Sequence, residues 1–360
     1  MEKRHNYVLW FEECDLKSIP LVGGKNAGLG ELLKADIPVP PGFAITTRAY
    51  DLFLEQGNIK KEIFKTLKSV KAGDMDSGEE ASKTIRAIIE GTEMNDDLQD
   101  YIGEFYRRLS KKCNVPAVPA AVRSSSTAED LPGASFAGQQ DTFLWIRGVD
   151  DILTHVKKCW SSLFASRAIY YRTKMGFSHE QVKISVVVQK MANAWSAGVM
   201  FTLNPATGDR STIAIDANFG FGESVVSGEC TPDNFIINKI TDEIIKKSIS
   251  HKTILYTRDP ESHCVVKQAI PDERADIQCL VDKDAIGLAR VGKRIEKHYG
   301  KPMDIEWAID KDTPGKAKIM ILQSRPETCW SDKKIEPVMK PRSSALAHIC
   351  AGLVAGKKVN

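Results

Sequence analysis

The sequence lacks the features that mark several classes of protein. No stretch of its 360 residues approaches the roughly eighteen consecutive apolar residues of a bilayer-spanning helix. The first residues, MEKRHN, lack the apolar core of a secretory signal. We therefore expect no membrane association and a cytoplasmic location.

Neither sign of charge dominates, because 50 basic and 47 acidic residues leave a net charge of +3. Such an even balance of charge argues against a nucleic-acid partner. The eight cysteines form no C-x-x-C pair, and none has a histidine at zinc-finger spacing. We expect free thiols, several of them buried, and no structural metal site.

The order of sequence patterns predicts helices first and a sheet later. A length of 360 residues favours two domains or one bilobed domain. Helical spacing covers residues 47–112, and a further helix is predicted at 150–175, with Gly176 as its stop. Short runs rich in β-branched residues then predict strands, at 184–191, 198–202, 211–216, 304–310 and 317–325. This order indicates an α+β fold in two lobes.

A glycine-rich turn at residues 23–28 (GGKNAG) leads into a helical pattern. Glycines before a helix expose backbone N–H groups, and Lys25 would supply a point charge for a phosphate. The turn is not a Walker A loop, which would place glycine at Ile19 and a hydroxyl residue at Asn26. The alternative is a plain glycine turn with a solvated lysine.

The segment 122–142 places one arginine before a series of hydroxyl residues and glycines. Arg123 can contact a phosphate through two N–H groups, and hydroxyls and bare backbone can surround the remaining oxygens. Glycines would let such a loop close over a nucleotide. The alternative is a flexible surface loop, although Phe136 and Phe143 are unusual for one.

Two strands near the end of the chain carry paired polar residues. In residues 303–310, alternation puts Asp304 and Glu306 on one face, where two carboxylates repel unless a cation such as Mg²⁺ lies between them. Gln323 and Arg325 share a face of the next strand. A hairpin of matching parity would set Glu306 opposite Gln323 and Asp304 opposite Arg325. The alternatives are a solvated strand face and a salt bridge that merely stabilises the hairpin.

Residues 218–223 (NFGFGE) contain a G-x-G that is not followed by the third glycine of a dinucleotide fingerprint. The segment fits a loop beside a bound ligand and fits a sharp turn equally well.

Taken together, these elements resemble one family. Over about residues 7–328, the chain is similar to the N-terminal, ATP-binding part of phosphoenolpyruvate synthase and pyruvate phosphate dikinase. Rifampin phosphotransferases and one subunit of phenylphosphate synthase share this module. Seven motifs in order carry the resemblance: 22–27 (VGGKNA), 40–43 (PPGF), 122–125 (VRSS), 137–142 (AGQQDT), 198–201 (GVMF), 304–306 (DIE) and 322–327 (LQSRPE).

The resemblance implies a bilobed ATP-grasp fold over residues 1–328, with nucleotide between two lobes whose boundary falls near 185–240. Residues 329–360 would be a linker and the start of a missing phosphohistidine domain. The implied cofactors are ATP and Mg²⁺. The residues matched to ATP contacts are Lys25, Arg123, Gly138, Thr142, Gln189, Glu306, Gln323 and Arg325. Among these, the resemblance makes Lys25, Arg123 and Arg325 catalytic, and it assigns the metal to Glu306 and Gln323 together with Asp304.

The family's reaction is a relay that this chain would not complete alone. The β,γ-pyrophosphoryl group of ATP moves to a histidine on a separate domain, leaving AMP, and the phosphohistidine then phosphorylates an acceptor. None of the seven histidines follows a Thr-Gly-Gly segment, and the surroundings of His348 resemble only the opening of the carrier domain. The resemblance therefore implies an ATP-dependent dikinase-type phosphotransferase that needs a histidine-bearing partner subunit or domain. That partner would bind the small-molecule acceptor, either phenol or pyruvate.

Other readings of the chain stay open. It is either a natural subunit or a fragment of a longer synthase, dikinase or rifampin-phosphotransferase-like enzyme; its start at Met1 and gapless numbering favour the subunit. It could instead be a non-catalytic module that senses ATP and regulates a partner. The presence of Lys25, Arg123, Glu306 and Arg325 together favours the enzyme.

Overall fold

A computed structural model describes residues 6–71, 74–127, 141–259, 261, 264–313 and 315–330. The expectations for Gly138 and for residues 331–360 lie outside these ranges. The described residues as far as Glu327 belong to one compact unit.

Within the described ranges the chain forms ten α-helices, of which α2 to α5 occupy the stretch predicted to be helical. The helices are α1 (Ile19–Lys34), α2 (Thr47–Gln56), α3 (Lys60–Lys68), α4 (Met75–Gly91), α5 (Asp96–Lys112), α6 (Val149–Ser162), α7 (Ser166–Met175), α8 (Glu223–Val226), α9 (Asp272–Ala275) and α10 (Asp282–Tyr299).

The same ranges contain thirteen β-strands, and each of the five strands predicted from sequence overlaps one of them. The strands are β1 (Val8–Trp10), β2 (Gly42–Ile45), β3 (Ala120–Ser126), β4 (Thr142–Ile146), β5 (Ile184–Lys190), β6 (Ala194–Phe201), β7 (Thr212–Phe219), β8 (Asp233–Asn238), β9 (Ile244–Ser248), β10 (Ile254–Arg258), β11 (Val265–Ala269), β12 (Met303–Asp310) and β13 (Ile319–Pro326).

The prediction of a single helix at 150–175 was wrong, because the chain forms α6 and α7 with a break between them. At the end of α6, the hydroxyls of Ser161 and Ser162 donate to the carbonyls of Lys158 and Cys159, at 2.9 and 2.7 Å. Such hydroxyl bonds compete with the helical pattern. The carbonyl of Leu163 is then taken by the Arg172 guanidinium at 2.6 Å. The predicted stop at residue 176 is confirmed, since this glycine caps α7 in the left-handed conformation.

Two antiparallel sheets organise the fold. The first has five strands in the order β1-β2-β5-β3-β4, and the second has six in the order β13-β12-β6-β7-β8-β9. A separate hairpin pairs β10 with β11. Helices and antiparallel sheets together confirm the predicted α+β class.

Each sheet has its own hydrophobic core. The first core joins the five-stranded sheet to helices α2 to α7 around fully buried Trp160. The second joins the six-stranded sheet to α1 and α10 around fully buried Trp307. Truncating a buried tryptophan to alanine costs about 3–5 kcal/mol, so each core holds its sheet firmly. The second core also contains Val187 of β5, so it reaches the first sheet.

The described cysteines, seven of the eight, are all free thiols, and Cys14, Cys159 and Cys279 are buried, as expected. Across the ranges given above, no helix combines the length and the apolar character that crossing a membrane requires.

Candidate functional site

The β12–β13 hairpin carries four of the predicted site residues in a defined register. Asp304 pairs opposite Arg325, and Glu306 pairs opposite Gln323. This is the register predicted from the alternation of the two strands. The intervening residues of β12 face the second core, where Ile305 and Trp307 are fully buried. Strand alternation therefore directs the four polar side chains to the other face of the sheet.

Arg325 and Asp304 form an ion pair across the hairpin. The Arg325 Nε and Nη2 atoms each lie 2.8 Å from Asp304 Oδ2. Burial raises the pKa of the Asp304 carboxyl; the charge of Arg325 opposes this rise, and the carboxylates of Glu306 and Glu327 add to it. The Arg325 side chain remains about half exposed, at 47%. It therefore has accessible surface from which to meet a ligand.

A β-bulge lies next to this pair. The register shifts between Glu306 and Trp307, so that Leu322 is the extra residue on β13. Bulges leave a residue out of the ladder and often re-aim groups beside active sites. Here the freed Leu322 carbonyl accepts a hydrogen bond from Arg123 Nη1 at 3.3 Å.

Arg123 reaches from the first sheet to the second. It lies on β3, and its Nη2 donates to Glu306 Oε2 at 2.9 Å and to Gln323 Oε1 at 2.7 Å. The side chain is mostly buried, and its Nε has no acceptor among the described residues. A charged donor that is partly unpaired suits an anion with several oxygens, such as a phosphate.

Lys25 is brought to the same strand by a kink in α1. Gly23 has a left-handed φ of 72°, and a Cβ there would overlap the hydroxyl and carbonyl oxygens of Ser125. The close approach lets the Lys25 backbone N–H donate to Ser125 Oγ at 3.1 Å. The predicted turn therefore lies inside a kinked helix, and it sets Lys25 against β3 two residues beyond Arg123.

Thr142 and Gln189 lie on the strands that flank β3. Thr142 begins β4 directly opposite Arg123 and is exposed. Gln189 lies opposite Ala121, is buried, and donates to the Pro40 carbonyl at 3.4 Å. With Gly138 outside the described residues, the structure therefore places seven of the eight predicted ATP contacts on α1 and five strands that border the space between the sheets.

Glu223 belongs to this site, although the sequence did not single it out. It begins α8, and one of its carboxylate oxygens, Oε2, is buried without a partner among the described residues. Burial raises the pKa of the Glu223 carboxyl; the charge of Arg123 opposes the rise and that of Glu306 adds to it. The NFGFGE segment that ends in this residue was the available signal. From the sequence alone, this segment fitted a loop beside a ligand and a sharp turn equally well, so Glu223 was not singled out.

An apolar surface adjoins these polar groups. It includes Ala121, two residues before Arg123, and Ala308, two residues after Glu306. Trp145 and Phe221 belong to the same cluster, with ring centroids 5.8 Å apart. The region between the sheets thus has a charged part and an apolar part, as a ligand with anionic and aromatic portions would require.

The acidic and amide oxygens fit a hard cation that brings other ligands with it. The described residues contain no group of three or more His, Cys, Asp or Glu side chains arranged to hold a metal alone. Mg²⁺ is usually bound by one or two carboxylates, and phosphates and waters complete its coordination. Glu306 with the Gln323 amide oxygen, and Asp304 beside them, match that need.

Comparisons with known proteins agree on one family. The model of the pyruvate phosphate dikinase AMP/ATP-binding domain matches residues 19–346. The chain is 43% identical to a probable phosphoenolpyruvate synthase of Staphylothermus marinus, covering 92% of this chain and 42% of that protein. It is 44% identical to that of Methanocaldococcus jannaschii, covering 97% and 29%. The phosphoenolpyruvate synthase of Pyrococcus furiosus is 42% identical, with 91% and 44% covered. The chain spans less than half the length of these relatives.

Proposed function

Because the chain belongs to the pyruvate phosphate dikinase AMP/ATP-binding domain family, we propose that it is the ATP-binding component of a dikinase-type phosphotransferase. It would bind MgATP in the cleft between the two sheets. The pyrophosphoryl group would pass to a histidine on a partner subunit or on a separate domain.

The observation that carries this proposal is the contact of Arg123 with Glu306 and Gln323. The Arg123 guanidinium and its two acceptors, Glu306 and Gln323, satisfy each other across the two sheets. A triphosphate offers Arg123 better acceptors, and a bound cation offers Glu306 and Gln323 a new partner. ATP and Mg²⁺ binding would thus exchange one set of favourable contacts for another and leave no charge unpaired.

Mg²⁺ would reduce the negative charge of the phosphates and orient them. We assign the Mg²⁺ ion to Glu306 and Gln323, together with Asp304, which pairs with Arg325. Burial, with the charges of Glu306 and Glu327, raises the pKa of Asp304, and a bound cation would oppose that rise.

In the proposed step, a histidine nitrogen forms a bond to the β-phosphorus while the bond from that phosphorus to the α,β-bridging oxygen breaks. AMP leaves with the electron pair. Lys25 and Arg123 hold the phosphate oxygens, and Arg325 neutralises charge on the moving group. Positioned cations of this kind account for most of the catalysis in phosphoryl transfer.

The histidine and the acceptor are proposed from the relatives. Their names refer to phosphoenolpyruvate synthesis, which favours pyruvate over phenol as the final acceptor. Their greater length leaves room for a carrier domain and an acceptor site, whether on a partner subunit or on a continuation of the same polypeptide.

Substitution of Arg325 tests the catalytic role. We expect Arg325→Ala to keep the MgATP dissociation constant within about threefold by calorimetry, since Lys25 and Arg123 remain. AMP formation should fall about a hundredfold, the usual effect of removing one transition-state donor. AMP is followed by chromatography in the native complex recovered with the tagged chain.

The matched control is Arg290→Ala, which removes a surface arginine of α10 that pairs with Asp242. It should change neither quantity. Unchanged AMP formation in Arg325→Ala would refute the catalytic role of Arg325. ATP binding without AMP formation by the wild-type complex would favour the sensing module instead.

A further inference from the structure

Trp145 adopts a backbone conformation that bulky residues rarely occupy. Its φ is 62°, in the left-handed region that glycine, asparagine and aspartate adopt most readily and that other residues rarely occupy. The cause is a bulge in which Leu144 and Trp145 of β4 lie between the pairs Ala120–Ile146 and Val122–Phe143. One residue of β3, Ala121, stands opposite these two residues. A strained conformation of this kind persists only where surrounding structure enforces it, and it is often part of a functional site.

The bulge places the indole in the apolar part of the cleft. Trp145 is 9% exposed and packs in the cluster that contains Ala121 and Ala308. Ala121 lies on the same strand as Arg123, and Ala308 lies on the same strand as Glu306. Each alanine is two residues from the charged residue, so the two side chains point to the same face of the strand. The indole therefore lies beside the charged part of the site, at the distance of neighbouring side chains along a strand.

The polar atom of the indole is not satisfied. Trp145 Nε1 is buried, and it has no acceptor among the described residues. Within the part of the chain that the structure describes, the indoles of Trp160 and Trp307 also lack acceptors, but both are enclosed in the main cores of the two sheets. Trp145 differs from them because it packs between the two sheets, in the cluster that adjoins Arg123 and Glu306, where an acceptor can arrive with a ligand.

Two groups from the other side of the cleft already contact the ring. Phe221 lies 5.8 Å away between centroids, and the Arg258 guanidinium lies 5.2 Å from the ring centroid. Both are carried by the segment between β7 and β11. Because the ring is only 9% exposed, a flat, electron-poor ring would take the place of one of these two groups on it.

We propose that Trp145 forms a wall of the seat for the nucleotide base, with its ring packed on the purine and its Nε1–H donating to a base nitrogen. The proposal rests on the function proposed above and adds the residue that recognises the base. A base rather than a phosphate is favoured because the lining is apolar, and burying a charge there would be costly.

Two variants separate the base contact from folding. Trp145→Asn removes the ring and suits the left-handed backbone, so the fold should be retained. Trp145→Phe keeps an aromatic face and removes the N–H donor. The control is Trp195→Phe, because Trp195 is 46% exposed and packs on Arg274 away from the site. Circular dichroism melts check that all three fold.

Calorimetry with MgATP, AMP and inorganic tripolyphosphate provides the test. We expect Trp145→Asn to weaken the binding of ATP and AMP about tenfold, in line with the loss of one base–aromatic stack, and to leave tripolyphosphate within twofold. Trp145→Phe should fall between the wild type and Trp145→Asn. Trp195→Phe should bind all three as the wild type does.

The outcomes distinguish this inference from the function on which it rests. If Trp145→Asn binds AMP as tightly as the wild type, or loses tripolyphosphate to the same extent as AMP, the base seat is wrong while nucleotide binding stands. If the wild type binds tripolyphosphate but neither nucleotide, the base seat is also wrong. A wild-type chain that binds none of the three refutes the proposed function and this inference together.

Discussion

Arg123 is the side chain whose removal reports most directly on the contact between the two sheets. It donates to Glu306, to Gln323 and to the carbonyl of Leu322. We predict that Arg123→Met, which keeps a long stem and removes the charge, destabilises the protein in the absence of nucleotide. The reason is that the Glu306 carboxylate would then face Glu223 with no cation between them.

The burial of the pair sets the size of the effect. The side chains of Arg123 and Glu306 are 12% and 28% exposed. Exposed pairs contribute about 0.2–1 kcal/mol, and breaking a buried pair costs about 3–5 kcal/mol. A pair of intermediate exposure should therefore cost about 2 kcal/mol. For a chain of this size, that corresponds to a fall in Tm of about 3 °C.

A double-mutant cycle tests the reasoning. Glu306→Gln removes the charge that Arg123→Met leaves unpaired, so the double variant should be more stable than the sum of the two single changes predicts. The coupling should be about 1–2 kcal/mol by urea unfolding in chelator, without nucleotide. The control cycle uses Lys83→Met and Glu79→Gln, an exposed pair whose coupling should stay below about 0.5 kcal/mol. Additive costs at Arg123 and Glu306 would refute the bridge between the sheets.

Three further predictions follow from other parts of the structure. Gly23→Ala should lower the free energy of unfolding by at least about 2 kcal/mol, because residue 23 has a left-handed φ and its Cβ would overlap Ser125 of β3. The control in urea unfolding is Gly91→Ala, where a Cβ meets nothing, and equal stability of the two variants would contradict this reason. Burial, together with the charge of Arg172, lowers the pKa of His179 to about 4. The pKa of His179 in the unfolded chain is about 6.5, so the unfolded state takes up a proton first, and the protein loses stability as the pH falls from 6.5 towards 4. His179→Gln should remove about 1–2 kcal/mol of this loss after allowance for partial exposure, and identical pH profiles of stability for variant and wild type would contradict the role of His179. Chelation of Mg²⁺ should weaken ATP binding in calorimetry, because Glu306 would then face the triphosphate without a cation, and equal affinity in chelator would argue against the metal site.

Local patterns were sufficient wherever the physical cause is local. The alternation of polar and apolar residues in 303–310 predicted which side chains of β12 face the core, because successive residues of a strand point to opposite sides. The short connection to β13 then predicted the register, and Asp304 does pair opposite Arg325. The break between α6 and α7 was missed. It depends on Arg172 reaching back to a carbonyl nine residues earlier, which periodicity does not reveal.

The sequence by itself determined the α+β class, the family and the residue types of the candidate site, since these depend on short motifs and on strand and helix periodicity. The tertiary structure decided which of those residues meet. Arg123 lies 183 residues from Glu306 in the chain, and their contact exists because two separately packed sheets face each other. The same packing brings Glu223 to the site and enforces the left-handed conformation of Trp145. No local pattern encodes such contacts, because their energy comes from groups that only folding brings together.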